Sequence, residues 1–246
     1  MNLSSRTLAR LAGLLYVVVA ISGGFAQLYA RSSVLVPGDA AATAANIRGS
    51  AGLVRTGLAA DVINVVAFIG VAILLYAVLS PVHRKLSGAF VIFVAMSATI
   101  MGLDLVNQAG ALMVATDPSY ATSMGADAAD SLAALFLDLH GFGYLIAEVF
   151  FGLWLLPLGY VVYRSGYFPR VLGIGLMVGF ASYAVSFALS ISAAGFDSEA
   201  ATLAALPAAL AELSFMGWLL IRGADARAEK QPSTAPRNVI TEGANA

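Results

Sequence analysis

Apolar and charged positions alternate along this chain in blocks rather than residue by residue. Uncharged apolar runs extend from Leu11 to Ala30 between Arg10 and Arg31, from Val62 to Val82 between Asp61 and His83, and from Leu86 to Leu103 between Lys85 and Asp104. Gly141 to Tyr163 is broken only by Glu148, Val171 to Phe196 carries no charge, and Ala200 to Ile221 contains only Glu212. Each run approaches the roughly 20 residues that a helix needs to cross a hydrocarbon layer. The pattern predicts an all-α polytopic membrane protein with six transmembrane helices, at about 11–30, 52–80, 86–114, 132–163, 171–191 and 203–221.

Local signals fill in the connections. Pro37-Gly38-Asp39 reads as a turn, with Asp39 capping a short helix through Ile47. Ser50 is placed to cap the second long helix, which Pro81 is expected to stop, and Pro157 is expected to kink the fourth. Asp117, Asp127 and Asp130 fall in an expected loop before helix four. Residues 223–246 are polar, with Pro232 and Pro236, and read as a disordered cytoplasmic tail. The first run, preceded by Arg6 and Arg10, also has the outline of a secretory signal; its extension to Ala30 favours an uncleaved helix.

Charge then orients the bundle. Of the thirteen Lys and Arg residues, ten fall on one side: Arg6 and Arg10, Arg84 and Lys85, Arg164 and Arg170, and Arg222, Arg227, Lys230 and Arg237 in the tail. Only Arg31, Arg48 and Arg55 remain for the other side. The positive-inside rule puts both termini in the cytoplasm of a multi-pass inner-membrane protein. The composition agrees, with 60% apolar and 11% charged residues against roughly 25% charged in soluble domains. A net charge of -1 argues against a nucleic-acid partner. The expected partners are the lipid bilayer and a small-molecule or lipid ligand.

Polar residues inside the runs are the candidates for function, because hydrocarbon penalises them. Counted from the basic anchors at about 1.5 Å per residue, Asp61, Asp104 and His140 lie at the outer edge of the membrane. Glu148 is about 24 Å from Arg164, and Glu212 about 15 Å from Arg222. Asn64 shares a face with Asp61, Asn107 and Gln108 lie near Asp104, and His140, Tyr144 and Glu148 form an i, i+4, i+8 stripe. Together these residues outline a polar pocket open to the outer side, with Glu148 and Glu212 at its base. A carboxyl at that depth should be protonated or hydrogen-bonded by a Tyr or Ser neighbour. The plain alternative is that the same residues only bond helices together, the better reading for the Ser182, Ser186 and Ser190 stripe. Arg48 and Arg55, on the disfavoured side, should pair with Asp61 or Asp104, or else contact an anionic group.

The sequence excludes much chemistry. With no cysteine there are no disulfides, thiolate metal sites or thiol nucleophiles. The only lysines, Lys85 and Lys230, lie outside the helices, so a Schiff base in the core is excluded. Two histidines, one of them His83 at the cytoplasmic end, cannot supply a bis-histidine haem across the membrane or a multi-histidine zinc site. There is no Glu-x-x-His pair and no Gly-x-Ser-x-Gly elbow. No cofactor and no metal are expected, and no residue can be assigned as catalytic.

Two segments, Val36 to Ile47 (VPGDAAATAANI) and His140 to Ile174 (HGFGYLIAEVFFGLWLLPLGYVVYRSGYFPRVLGI), carry a resemblance. They resemble a bacterial family of six-helix membrane proteins catalogued as domain of unknown function 4386, over about Leu8 to Ile221. The resemblance implies six helices and an inner-membrane location, and it brings no activity. The leading expectation is binding or movement of a small or lipid-like molecule in an outward-facing polar cavity. The alternatives are an outer-leaflet enzyme with His140 as general base, oriented by Asp104 or Asp61, and a structural or partner subunit. Topology is the first test: a periplasmic reporter should be active when fused near Ala126 and inactive after Arg227. Activity after Arg227 would overturn the orientation.

Overall fold

The computed structural model describes residues 3–192 and 199–225, and every regular element among them is helical. Helix α1 (Ser5–Gly24) continues into a π-helical segment (Phe25–Arg31), followed by α2 (Ala40–Gly49), α3 (Ala51–Thr116), α4 (Pro118–Met124), α5 (Ala126–Ser165), α6 (Arg170–Ser192) and α7 (Glu199–Ile221). Five helical stretches among the described residues are long and apolar enough to cross a membrane. The chain is an integral membrane protein. The surface agrees with that solvent: Leu28 is 81% exposed, and Val66, Ile73, Leu103, Val106, Val178 and Leu210 also lie outside. Side chains of this kind would be costly to leave in water.

Helix α3 contains the main topological event. A straight helix of its 66 residues would span roughly 100 Å. Instead Val54 packs in one cluster with Ala111 and Val114, and the Nε2 of Gln108 lies 3.9 Å from where a Cβ on Gly57 would sit. The segment is therefore a hairpin of two limbs. Its bend is His83, at φ -156 and ψ 87, two residues beyond Pro81, where the sequence predicts the stop. Pro81 removes a helical donor and crowds the turn before it. The His83 Nδ1 then accepts from the Leu86 backbone N–H at 3.3 Å, supplying the side-chain cap for the second limb.

Other local expectations separate cleanly. Asp39 does cap α2, accepting from the Ala42 N–H at 2.8 Å, whereas Ser50 flanks α3 without a side-chain bond. The expected loop at 117–131 is helical instead. Asp117 caps α4 through the Ser119 N–H at 2.9 Å, with Pro118 in the first turn, and these bonds hold its carboxyl below the usual range. Gly125, at φ +90, supplies the break, a conformation costly for other residues, and α5 begins at Ala126 with Asp127 at its positive end. Helix α5 runs unbroken through Pro157. At the start of the predicted tail, the Asp225 N–H donates to the Tyr167 carbonyl at 3.1 Å and Ala224 is buried; residues 226–246 lie outside the described residues.

Neighbours in sequence are neighbours in space: α1 packs on α3, α3 on α5, α5 on α6, α6 on α7, and α7 closes the ring on α1. Small residues set the closest approaches. A Cβ on Gly173 would lie 2.6 Å from the Gly159 carbonyl and from the Tyr163 N, and one on Gly13 2.6 Å from the Leu220 N. Gly175 in α6 is looser, since a Cβ there would meet only Ala211, at 3.5 Å. Gly173→Ala should therefore destabilise the protein by about 1–3 kcal/mol through backbone overpacking, while Gly175→Ala should stay within about 0.5 kcal/mol. Thermal unfolding in mild detergent measures both; equal costs would contradict the packing described.

Candidate functional site

The buried apolar side chains form two clusters, and the polar candidates lie between them in register on each helix. Along the first limb of α3, Val54 belongs to the cluster beside α2, Asp61 and Asn64 follow, and Phe68 to Leu79 belong to the cluster beside the His83 bend. The second limb runs in reverse: Phe90 and Val94, then Ser97, Asp104 and Gln108, then Ala111 to Ala115. On α5 the order is Ala129 to Leu137, then His140, Tyr144 and Glu148, then Trp154 to Val162. Three antiparallel segments thus bring their polar residues to one level, a belt across the bundle.

Two acid–base pairs occupy the part of the belt nearest α2. Arg31 ends the π-helical segment, where Gln27, four residues earlier, accepts from its Nη1. Its Nη2 reaches Asp61 Oδ2 at 3.5 Å, with side-chain exposures of 11% and 3%. Beside them the His140 Nδ1 lies 2.8 Å from Asp104 Oδ2 and 3.3 Å from the Asp104 carbonyl oxygen. The carbonyl is the aligned hydrogen-bond acceptor and the carboxylate a close electrostatic contact, since Oδ2 itself has no aligned donor. Asn107 donates to Asp104 Oδ1 at 2.8 Å, and Asn64 donates to the Val19 carbonyl at 2.7 Å. Glycines make room for these groups. A Cβ on Gly143 would overlap the Asp104 carboxylate, and one on Gly23 would fall 2.7 Å from the Asn64 amide. Asp61 is within electrostatic reach of Arg31, His140 and Asp104, so the two pairs form one cluster. Within it the Arg31 Nε, Gln108 Oε1 and His140 Nε2 are buried without a hydrogen-bond partner.

Deeper in the bundle the donors are phenols and a serine. Tyr144 links the levels, within reach of Arg31 and Asp61 on one side and of Glu148 and Glu212 on the other. Glu148 accepts from the Ser186 hydroxyl at 3.3 Å. Glu212 accepts from Tyr183 at 3.0 Å and from Tyr16. Every helix of the ring therefore contributes to the belt: Tyr16 from α1, both limbs of α3, three residues from α5, Tyr183 and Ser186 from α6, and Glu212 from α7. Ser182 bonds helices instead, donating to the Ala204 carbonyl and accepting from the Ala208 N–H at 3.3 Å.

All eight candidate pocket residues, Asp61, Asn64, Asp104, Gln108, His140, Tyr144, Glu148 and Glu212, lie in or beside this belt. The two arginines do not. Arg48 pairs with Asp130 at 2.7 Å, not with Asp61 or Asp104, because α2 lies across the start of α5. Arg55 is exposed. Arg31, Tyr16 and Tyr183 were absent from the candidate set. The Gln27/Arg31 spacing signals an inward pair at the end of an apolar run, but two tyrosines among apolar neighbours give no such sign. Access also differs from expectation. The cluster containing Val34, Ala44 and Ile47 covers the belt on the α2 side, and two surface grooves of about 380 and 390 Å³ lie elsewhere, without candidate residues in their lining. Among the described residues no three of His, Asp and Glu come close enough to hold a metal.

The bonding predicts an asymmetry in mutational cost. Glu212→Gln keeps an acceptor for one phenol and offers the other an amide N–H that its hydroxyl oxygen can accept, and should cost less than about 1 kcal/mol. Tyr16→Phe leaves the carboxyl short of a donor within the bundle and should cost about 1–3 kcal/mol. Thermal unfolding that ranks Glu212→Gln as the more damaging change would contradict this arrangement.

No curated protein and no solved structure matches the chain. A family model does, described as Domain of unknown function (DUF4386), over residues 11–223. That stretch holds α1 from Leu11 onward, all the later helices and every belt residue, and the chain belongs to the DUF4386 family.

Proposed function

We propose that this protein crosses the inner membrane six times, with both termini cytoplasmic, and uses its polar belt to bind a small or lipid-like molecule and move it between the outer surface and mid-membrane. The His83 hairpin supports six crossings, because each limb of α3 is long enough to span. The orientation rests on the ten basic residues that the sequence groups on one side, seven of which lie within the described residues. The belt then lies near the outer edge of the hydrocarbon, with α2 and the projecting ends of α3 and α5 above it. The path from outside runs past α2, which the exposed Arg48–Asp130 pair holds only weakly, since such pairs contribute about 0–1 kcal/mol.

One observation carries this reading: Asp61, Asp104 and His140 are buried together beside the half-buried Arg31, while the buried atoms Arg31 Nε, Gln108 Oε1 and His140 Nε2 have no partner. A cluster serving only to hold helices together satisfies its own donors and acceptors, because an unmet buried group costs about 1–3 kcal/mol. These atoms can instead meet the donors and acceptors of a bound molecule.

The Asp104–His140 contact favours a second reading, an outer-leaflet enzyme in which the His140 Nε2 exchanges a proton with substrate while Asp104 orients the ring. Native mass spectrometry and lipid analysis of gently purified protein test both. Wild type is expected to retain a small or lipid-like molecule, which Arg31→Gln and His140→Gln lose and Lys85→Gln keeps. Release of a chemically altered molecule, abolished by His140→Gln with binding intact, would replace the carrier reading by the enzyme. Identical, ligand-free spectra for all four proteins would contradict both.

A further inference from the structure

A second site lies away from the belt, on the outer face of α1 and α7 at the Arg-rich end. There a groove of about 380 Å³ is lined by Thr7, Arg10, Leu11, Leu14 and Leu220. Its composition is ordered along the helix axis. Thr7 and Arg10, one turn apart, form a polar rim, and Leu11, Leu14 and Leu220 form an apolar trough on the outer surface, 39–54% exposed. The Arg10 Nη2 donates to the Ile221 carbonyl at 2.9 Å, which fixes the guanidinium at the end of α7 and leaves further N–H donors for another acceptor.

Two more guanidinium-bearing residues gather at the same point. Helix α7 ends at Ile221, and a Cβ on Gly223 just beyond it, at φ +69, would lie 3.0 Å from the Arg6 Cγ and 3.3 Å from the Arg10 Cγ. Arg222 is the preceding residue and is exposed. Arg10 therefore lines the polar end of the trough, with the Arg6 stem and the exposed Arg222 close by in the fold, and the other end is bare hydrocarbon-facing leucine. A soluble anion would use the rim and have no need of the trough; a neutral lipid would use the trough and leave the cations unmatched. We propose that this groove is a binding site for one anionic glycerophospholipid, its phosphate against Arg10, with Arg6 and Arg222 beside it, and an acyl chain along Leu11, Leu14 and Leu220. Basic recesses between membrane helices recognise such headgroups, and each basic residue contributes about a fivefold change in affinity.

The test is native mass spectrometry of the full chain in a neutral detergent, titrated with phosphatidylglycerol or phosphatidylcholine. One phosphatidylglycerol per protein should be retained in preference to phosphatidylcholine. Arg10→Gln should weaken that adduct about fivefold or more, and Leu14→Asn, which leaves the charge intact, should weaken it too. Both positions are exposed, so the variants should fold as the wild type does. Arg84→Gln/Lys85→Gln removes two charges elsewhere at the same end and should leave the adduct unchanged. Equal retention of the two lipids would overturn the proposal. So would an equal loss in Arg84→Gln/Lys85→Gln, which marks unspecific attraction, or indifference to Leu14→Asn, which marks an ion bound without its lipid.

Discussion

Hydrocarbon offers no hydrogen bonds, yet every helix in the ring of this bundle carries at least one side chain that needs one. That constraint decides the register of the whole molecule. Arg31, Asp61, Asp104, His140, Tyr144, Glu148 and Glu212 can be accommodated only if they meet one another or a polar neighbour, since an isolated charge or an unmet polar group in hydrocarbon is costly. The chain meets it by placing them at matching points between two apolar clusters, so that the hairpin at His83 and the antiparallel run of α5 bring them together. Sliding either limb by one helical turn would bury carboxylates among the leucines of one cluster. The apolar residues supply the packing, and the polar ones select the alignment.

Stability alone does not call for such a belt. Buried ion pairs replaced by well-packed apolar side chains are often neutral or stabilising, and the clusters above and below show that this chain builds apolar layers readily. The tight seats provided by Gly143 and Gly23 carry the same message, because room has been made for Asp104 and Asn64 at the expense of helix packing. A layer of this kind, shared by all the ring helices and incompletely satisfied within itself, is better matched to a molecule that visits it than to permanent glue. The apolar cap of α2, Val34 and the ends of α3 and α5 closes the belt on one side, which makes motion of that cap the natural companion of binding.

Much of this was legible in residue order because the bilayer imposes simple rules. The apolar runs set the helices, and Pro37-Gly38-Asp39 marked the start of α2 through its cap. Depth counting from the basic anchors picked out Asp61, Asp104, His140 and Glu148 before any neighbour was known. The failures have physical reasons. Pro81 suggested the wrong stopping point because a proline weakens the turn before it, whereas the bend itself follows at His83. The aspartates at 127 and 130 suggested a loop, but Asp127 suits a helix N-terminus and Asp130 finds Arg48. Tyr16 and Tyr183 could not be told from core aromatics, since only the crossing of α1, α6 and α7 at Glu212 gives their hydroxyls a purpose. Arg31 was hidden by its place at the end of an apolar run, where it counts as a flanking charge until the π-helical turn directs it inward.

The central claim is that the belt is a binding layer rather than a self-contained bond network. An experimental structure of the protein in lipid nanodiscs, at a resolution that shows ordered non-protein density, tests it most directly. The account predicts density bridging Arg31 Nε, Gln108 Oε1 and His140 Nε2, larger than a single water and displaced or altered in a His140→Gln protein. Side chains closed on one another, with all three atoms bonded inside the protein, would contradict it.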